Sequence, residues 1–169
     1  MKRLLINLVI LFALLASGQA QDKLKIGEIR NGKLVVTNLD GLKGYFLKSL
    51  DNSGTMGNDY QVSTAPEGDR CVIFFPVTGN SANISSIGVM MVKIKNDFFI
   101  ITNPPEKDSS VPGGSGSLEI QCAGDGCISC VPNIKWEQGN WMPVVYCQCL
   151  MPGGGTCNMT TKLVIKIEL

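Results

Sequence analysis

Residues 71–75 read Cys71-Val72-Ile73-Phe74-Phe75, five apolar side chains without a break. A half-buried strand alternates apolar with polar residues, whereas a short unbroken apolar run suits a strand buried on both faces. A sheet with this segment in its interior is therefore expected.

Working outward, Tyr60 to Thr64 is a short strand candidate. Before it, Leu42, Tyr45, Phe46 and Leu50 recur at spacings of three and four. That period predicts one amphipathic helix, with Asp40 as its N-cap, weakened by Gly41 and Gly44 and ended by Asn52-Ser53-Gly54. Further upstream, Lys23 to Ile29 and Lys33 to Thr37 flank Asn31-Gly32. Asn-Gly between two strand-forming runs is the strongest short-range hairpin signal, because both residues accept positive φ. Downstream, Ile87 to Ile94 and Phe98 to Thr102 flank Lys95-Asn96-Asp97 and predict a second hairpin.

Composition then changes. Asn103 to Ser117 holds three prolines, three glycines and four serines, which marks a loop or linker. Beyond it, Leu118 to Cys122, Val144 to Leu150 and Lys162 to Leu169 read as strands, with Pro152-Gly153-Gly154-Gly155 as a turn. The expected fold is α+β: one amphipathic helix on an antiparallel β-sheet over residues 21–102, a Pro/Gly/Ser-rich loop at 103–117, and a disulfide-stapled β-rich segment over 118–169. An all-β sandwich is the alternative should residues 40–51 not be helical. Whether the C-terminal segment is a subdomain or completes the first sheet stays open at this level.

The first twenty residues carry the pattern of a secretory leader. Lys2 and Arg3 precede an apolar run from Leu4 to Ala16, interrupted only by Asn7, and small residues at Ser17, Gly18 and Ala20 suit cleavage before Gln21. The run is shorter than the roughly 20 apolar residues of a membrane span. A secreted or periplasmic product with no membrane span after leader removal is expected. Lys2 and Arg3 leave with the leader, so 13 basic and 14 acidic residues remain, a formal charge of −1. That balance gives no electrostatic footprint for nucleic acid.

Six of the seven cysteines, Cys122, Cys127, Cys130, Cys147, Cys149 and Cys157, lie in the C-terminal segment. In an oxidising compartment such clustering implies disulfides, although six cysteines alone allow 15 pairings. Cys147 and Cys149 leave the same face of one strand, so each is better placed to bridge a neighbouring strand or loop than its companion. Cys71, inside the apolar run, is the unpaired candidate, a buried thiol acting as a small hydrophobe.

Two other readings use the same cysteines. Cys127, Cys130, Cys147 and Cys149 supply four thiolates for zinc or copper. The segment Cys122-Ala-Gly-Asp-Gly-Cys127-Ile-Ser-Cys130 resembles, over its nine residues, the spacing with which plant-type ferredoxins hold three ligands of a [2Fe–2S] cluster. That resemblance implies Cys147 or Cys157 as the fourth ligand. Cys127-Ile128-Ser129-Cys130 also has the spacing of a redox-active pair, although Val131-Pro132-Asn133 continues no amphipathic period after it.

The chain has no histidine, which removes the usual catalytic triads, imidazole bases and histidine metal sites. No pair among the eight Asp and six Glu residues stands out for acid–base work. The glycines at 153–155 lack a following Lys-Ser/Thr, so they form no phosphate loop. No catalytic residue and no cofactor is assigned, and an enzyme is not expected. Both tryptophans, Trp136 and Trp141, bracket a polar, turn-like stretch that forms either a contact surface or a lid over the disulfides. Met142, Met151 and Met159 sit near the cysteines as gap-filling side chains. Asn83-Ile84-Ser85 and Asn158-Met159-Thr160 fit the N-glycosylation pattern. The expected function is a small exported binding module, stabilised by disulfides, whose partner is a protein, a glycan or an envelope component.

Overall fold

The computed structural model describes residues 23–80, 82–102, 116–127, 129–150 and 155–165. The expected leader, most of the linker, Met151 and the end of the last expected strand lie outside them. The described residues build an antiparallel sheet with a single helix, a β-rich α+β arrangement.

Strand β1 (Lys23–Arg30) turns at Asn31 and Gly32, both at positive φ (52° and 74°), into β2 (Lys33–Val36). The left-handed pair is the geometry that a two-residue turn between twisted strands demands, and the Asn-Gly signal rests on it. Helix α1 (Leu39–Ser49) follows at once. Its N-cap is Asn38 and not Asp40: the Asn38 carboxamide accepts the Gly41 N–H at 3.0 Å and donates to the Lys25 carbonyl at 3.0 Å. One side chain thus caps the helix and ties its start to β1, while Asp40 sits in the first turn, where the helix dipole favours a carboxylate.

Next come β3 (Thr55–Met56), β4 (Gln61–Thr64) and β5 (Arg70–Thr78). Strands β6 (Ile84–Ile94) and β7 (Asp97–Ile101) form the second expected hairpin. Strand β5 pairs with β6 on one side and with β3 and β4 on the other, so the apolar run at 71–75 is an interior strand. The sheet divides at β6. Its C-terminal end pairs with β7, which leads through β1 to β2, and its N-terminal half pairs with β8 (Gly116–Asp125), which leads to β11 (Thr156–Ile165). The C-terminal strands therefore continue the sheet begun at the N-terminus. Strand β11 starts at Thr156, six residues before the expected Lys162, and stays in register with β8 for ten residues.

Two further strands, β9 (Cys130–Lys135) and β10 (Val144–Cys149), pair only with each other and make a separate ribbon. Strand β9 was not legible because Pro132 lies inside it; proline is tolerated in strands chiefly at edges, and a two-stranded ribbon consists of edges.

The two faces of the sheet are covered differently. Cys71, Ile73, Phe75 and Val77 of β5 face α1 and pack with Ile87, Val89 and Met91 of β6 and with Leu42, Phe46 and Leu50. The Phe46 and Phe75 rings meet edge to face at 5.9 Å. Val72, Phe74, Met90, Leu118 and Ile120 face the opposite way and are covered by Ile134, Trp136, Trp141 and Val145 of the β9–β10 ribbon and its loop.

Candidate functional site

The cysteines clamp the ribbon to the sheet. Cys122 on β8 bonds Cys147 on β10, Cys127 in the following loop bonds Cys149 on β10, and Cys130 on β9 bonds Cys157 on β11. Cys147 and Cys149 leave one face of β10, as their spacing predicts, and reach different partners. Their Cα separations of 5.7 and 6.0 Å, and 5.8 Å for the third bridge, sit in the ordinary disulfide range. Packing around the bridges is close: a Cβ on Gly124 would collide with the Cys127 backbone carbonyl.

This pairing corrects the other readings of the same residues. Cys122, Cys127 and Cys130 each bond a different partner, so they form no ferredoxin-like ligand set and no Cys127–Cys130 redox pair. Cys130 also opens a strand, where a redox pair needs a helix N-terminus to stabilise its thiolate. The four-thiolate set of Cys127, Cys130, Cys147 and Cys149 is likewise not assembled. The sulfurs that do come together, within 4.8 Å, are those of Cys127, Cys130 and Cys157. They are neighbours because two disulfides lie side by side, and disulfide sulfur carries no thiolate charge to give a metal.

Cys71 is the free cysteine and is fully buried. Burial pushes its thiol pKa from the ordinary 9.0 up to about 12. It faces α1, on the side of the sheet away from the bridges, so the sheet itself separates it from disulfide exchange.

Both tryptophans are half-buried on the sheet face, not laid over the disulfides. The Trp136 indole N–H donates to the Ser63 hydroxyl at 3.0 Å, and the Arg70 guanidinium lies 5.8 Å from the centroid of its ring. Arg70 has a side chain only 9% exposed. It donates to the backbone carbonyls of Asn140 and Trp141 and pairs with Asp69 at 3.0 Å. This arginine anchors the tryptophan loop, and sequence reasoning missed it because its acceptors lie about seventy positions away. The buried Ser86 hydroxyl adds a polar tie by donating to the Cys130 carbonyl at 3.0 Å.

The ribbon therefore turns one face inward and the other to solvent. On β10, Val145, Cys147 and Cys149 point in, while Val144, Tyr146 and Gln148 point out, followed by Leu150. Val144, Tyr146 and Leu150 are 46%, 49% and 59% exposed, and Met142 beside them is 41% exposed. Asn133 stands opposite Tyr146 across the ribbon. Met159 on β11 is also exposed.

Among the described residues the most buried carboxylate is that of Glu119 on β8. It accepts from the Ser49 hydroxyl at 2.7 Å and from the Gln121 amide at 3.0 Å. Burial, with Glu119 beside it, raises the pKa of the Tyr45 phenol, which keeps that group protonated. This is a satisfied polar island between helix and sheet. Asn83 and Asn158, the two sequon asparagines, are both exposed. Among the described residues no helix is long and apolar enough to cross a membrane.

No protein-family model matches the chain, and no curated protein or solved structure resembles it at a significant level.

Proposed function

We propose that the chain is an exported, disulfide-stabilised binding module without catalytic activity, acting through the outer face of the β9–β10 ribbon. The observation that carries this reading is the apolar stripe of Val144, Tyr146 and Leu150 on a ribbon clamped by three disulfides. An exposed apolar stripe costs solubility and adds nothing to the fold, whereas a rigid one loses little entropy on binding. Tyr146 beside Asn133 combines an aromatic body with amide hydrogen bonding, chemistry that suits a protein surface or a sugar ring. Multiple disulfides fit the oxidising compartment that the leader points to. In this reading Trp136 and Trp141 hold the ribbon in place from beneath, and the contact surface lies on its other side.

The test uses the chain from Gln21 onward, immobilised and probed with envelope fractions of its own source and with a glycan array. The Tyr146→Ser/Leu150→Ser double variant should lose capture while its unfolding free energy stays within about 0.5 kcal/mol of the parent, as for other surface changes. Capture that survives this variant but fails with Trp136→Ala/Trp141→Ala at unchanged stability would move the site to the tryptophans. Absence of any capture would sink the reading.

A further inference from the structure

Among the described residues the sheet has four outer strands, and one of them breaks the rules that edges normally obey. Strands β2 and β4 are four residues each and β3 is two. Strand β11 is ten residues long, pairs with β8 without a bulge, contains no proline and carries one charge, Lys162. Among the described residues nothing pairs with its outer edge. Its side chains from Thr156 to Lys162 are exposed apart from the half-buried Cys157. Natural sheets blunt their edges with short strands, prolines, bulges and inward charges, because an open row of N–H and C=O groups recruits another strand. Strand β11 uses almost none of these devices.

We propose that the β11 edge pairs with β11 of a second copy of this chain, antiparallel across a two-fold axis, to form one continuous sheet. A second copy fits because an antiparallel edge is its own complement: under a two-fold, each outward N–H meets the carbonyl of its symmetry mate. The two-fold requires a residue to face its own mate. With the axis at Thr160, Thr160 stands opposite Thr160 of the second copy, Thr161 opposite Met159 and Lys162 opposite Asn158. With the axis at Thr161, Lys162 stands opposite Thr160, so in neither register do like charges face each other. Assembly stops at two, because the pairing consumes both long edges and, among the described residues, leaves the sheet only the short edges of β2, β3 and β4. The apolar stripe on β10 is not part of this contact, so the inference stands independently of the proposed binding surface.

Sedimentation of the chain from Gln21 onward, over a range of concentrations, should show a reversible dimer. The Thr160→Lys/Thr161→Lys variant places like charges directly opposite each other whichever of the two residues lies on the axis, and should raise the dimer dissociation constant several-fold. Thr160→Glu/Thr161→Glu should do the same, and an equimolar mixture of the two variants should restore a dimer. Both substituted positions are exposed, and circular dichroism checks that each variant is folded. Hydrogen exchange of the unmodified chain gives a second readout, with slower exchange across 156–165 at high than at low concentration. A chain that stays monomeric at high concentration overturns the proposal, and so does a dimer that ignores the charges or exchange across 156–165 that does not change with concentration.

Discussion

The two faces of the sheet solve the same problem by different means. The face under α1 buries side chains from six elements, including Phe46, Phe75 and Phe98, with no covalent link. The face under the β9–β10 ribbon buries five side chains and relies on partly exposed ones to cover them. A two-stranded ribbon is at best marginally stable by itself, and here three disulfides, the Arg70 carbonyl bonds and the Ser86–Cys130 contact hold it down. Where apolar area is scarce, cross-links that restrict the unfolded chain take its place, each contributing typically about 2–4 kcal/mol. The ribbon can then leave its outer face free of core duties.

The largest effect belongs to the helix side. Phe75→Ala should cost about 3–5 kcal/mol in urea unfolding, because the cavity lies between a rigid sheet and a packed helix. Fluorescence and circular dichroism should then lose structure in one transition. Removing one clamp, with Cys127→Ala/Cys149→Ala, should cost about 2–4 kcal/mol. Hydrogen exchange should also rise in 130–149 well before 70–94. Equal rises in both segments would mean that the two faces form one cooperative unit, and the contrast drawn above would fail.

Arg70→Met is expected to cost about 1–3 kcal/mol, since the Asn140 and Trp141 carbonyls lose their donor while the stem volume is kept. Tryptophan fluorescence should shift toward exposed indole, and a variant with parental fluorescence would show that the disulfides alone seat the loop. Cys71 gives the smallest effect, and only in alkali. With its folded pKa at about 12 against an ordinary 9.0, the thiol ionises first in the unfolded chain. It therefore leaves stability unchanged below pH 9 and lowers it as pH rises from 9 toward 12. Cys71→Ala should remove that part of the alkaline decline. At pH 8 the folded chain should resist alkylation, and unfolding without reduction should expose a single reactive thiol.

Several elements were readable from local chemistry alone. Asn31-Gly32 specifies a turn by its own tolerance of positive φ, and Leu42, Phe46 and Leu50 mark the buried side of α1 by spacing alone. The run at 71–75 announced an interior strand for the same reason, since apolar side chains on both faces need cover on both faces. The N-cap went to Asn38 because the choice between two capping residues depends on what each can reach, and only Asn38 also touches β1. Strand β9 escaped notice because an edge ribbon can carry Pro132, and Arg70 because its partners come from a distant loop.

The candidate site follows the same division. Alternation along Val144 to Cys149 places the cysteines on one side and Val144 and Tyr146 on the other, whichever partners the cysteines choose. It does not say which side faces the sheet until the bridges are known. Nor could the tryptophans be placed, since a loop indole serves equally as contact surface or anchor until the opposing wall is seen.

By itself, then, the sequence determined the elements set by neighbours a few residues apart: two hairpin turns, one helix, an interior strand, and a cross-linked C-terminal segment with one thiol to spare. Tertiary structure alone decided which cysteines pair, that β8 and β11 extend the N-terminal sheet, and that the tryptophans face inward. Those outcomes depend on which distant segments are brought within a few ångströms of each other, and residue spacing along a chain carries no record of that distance.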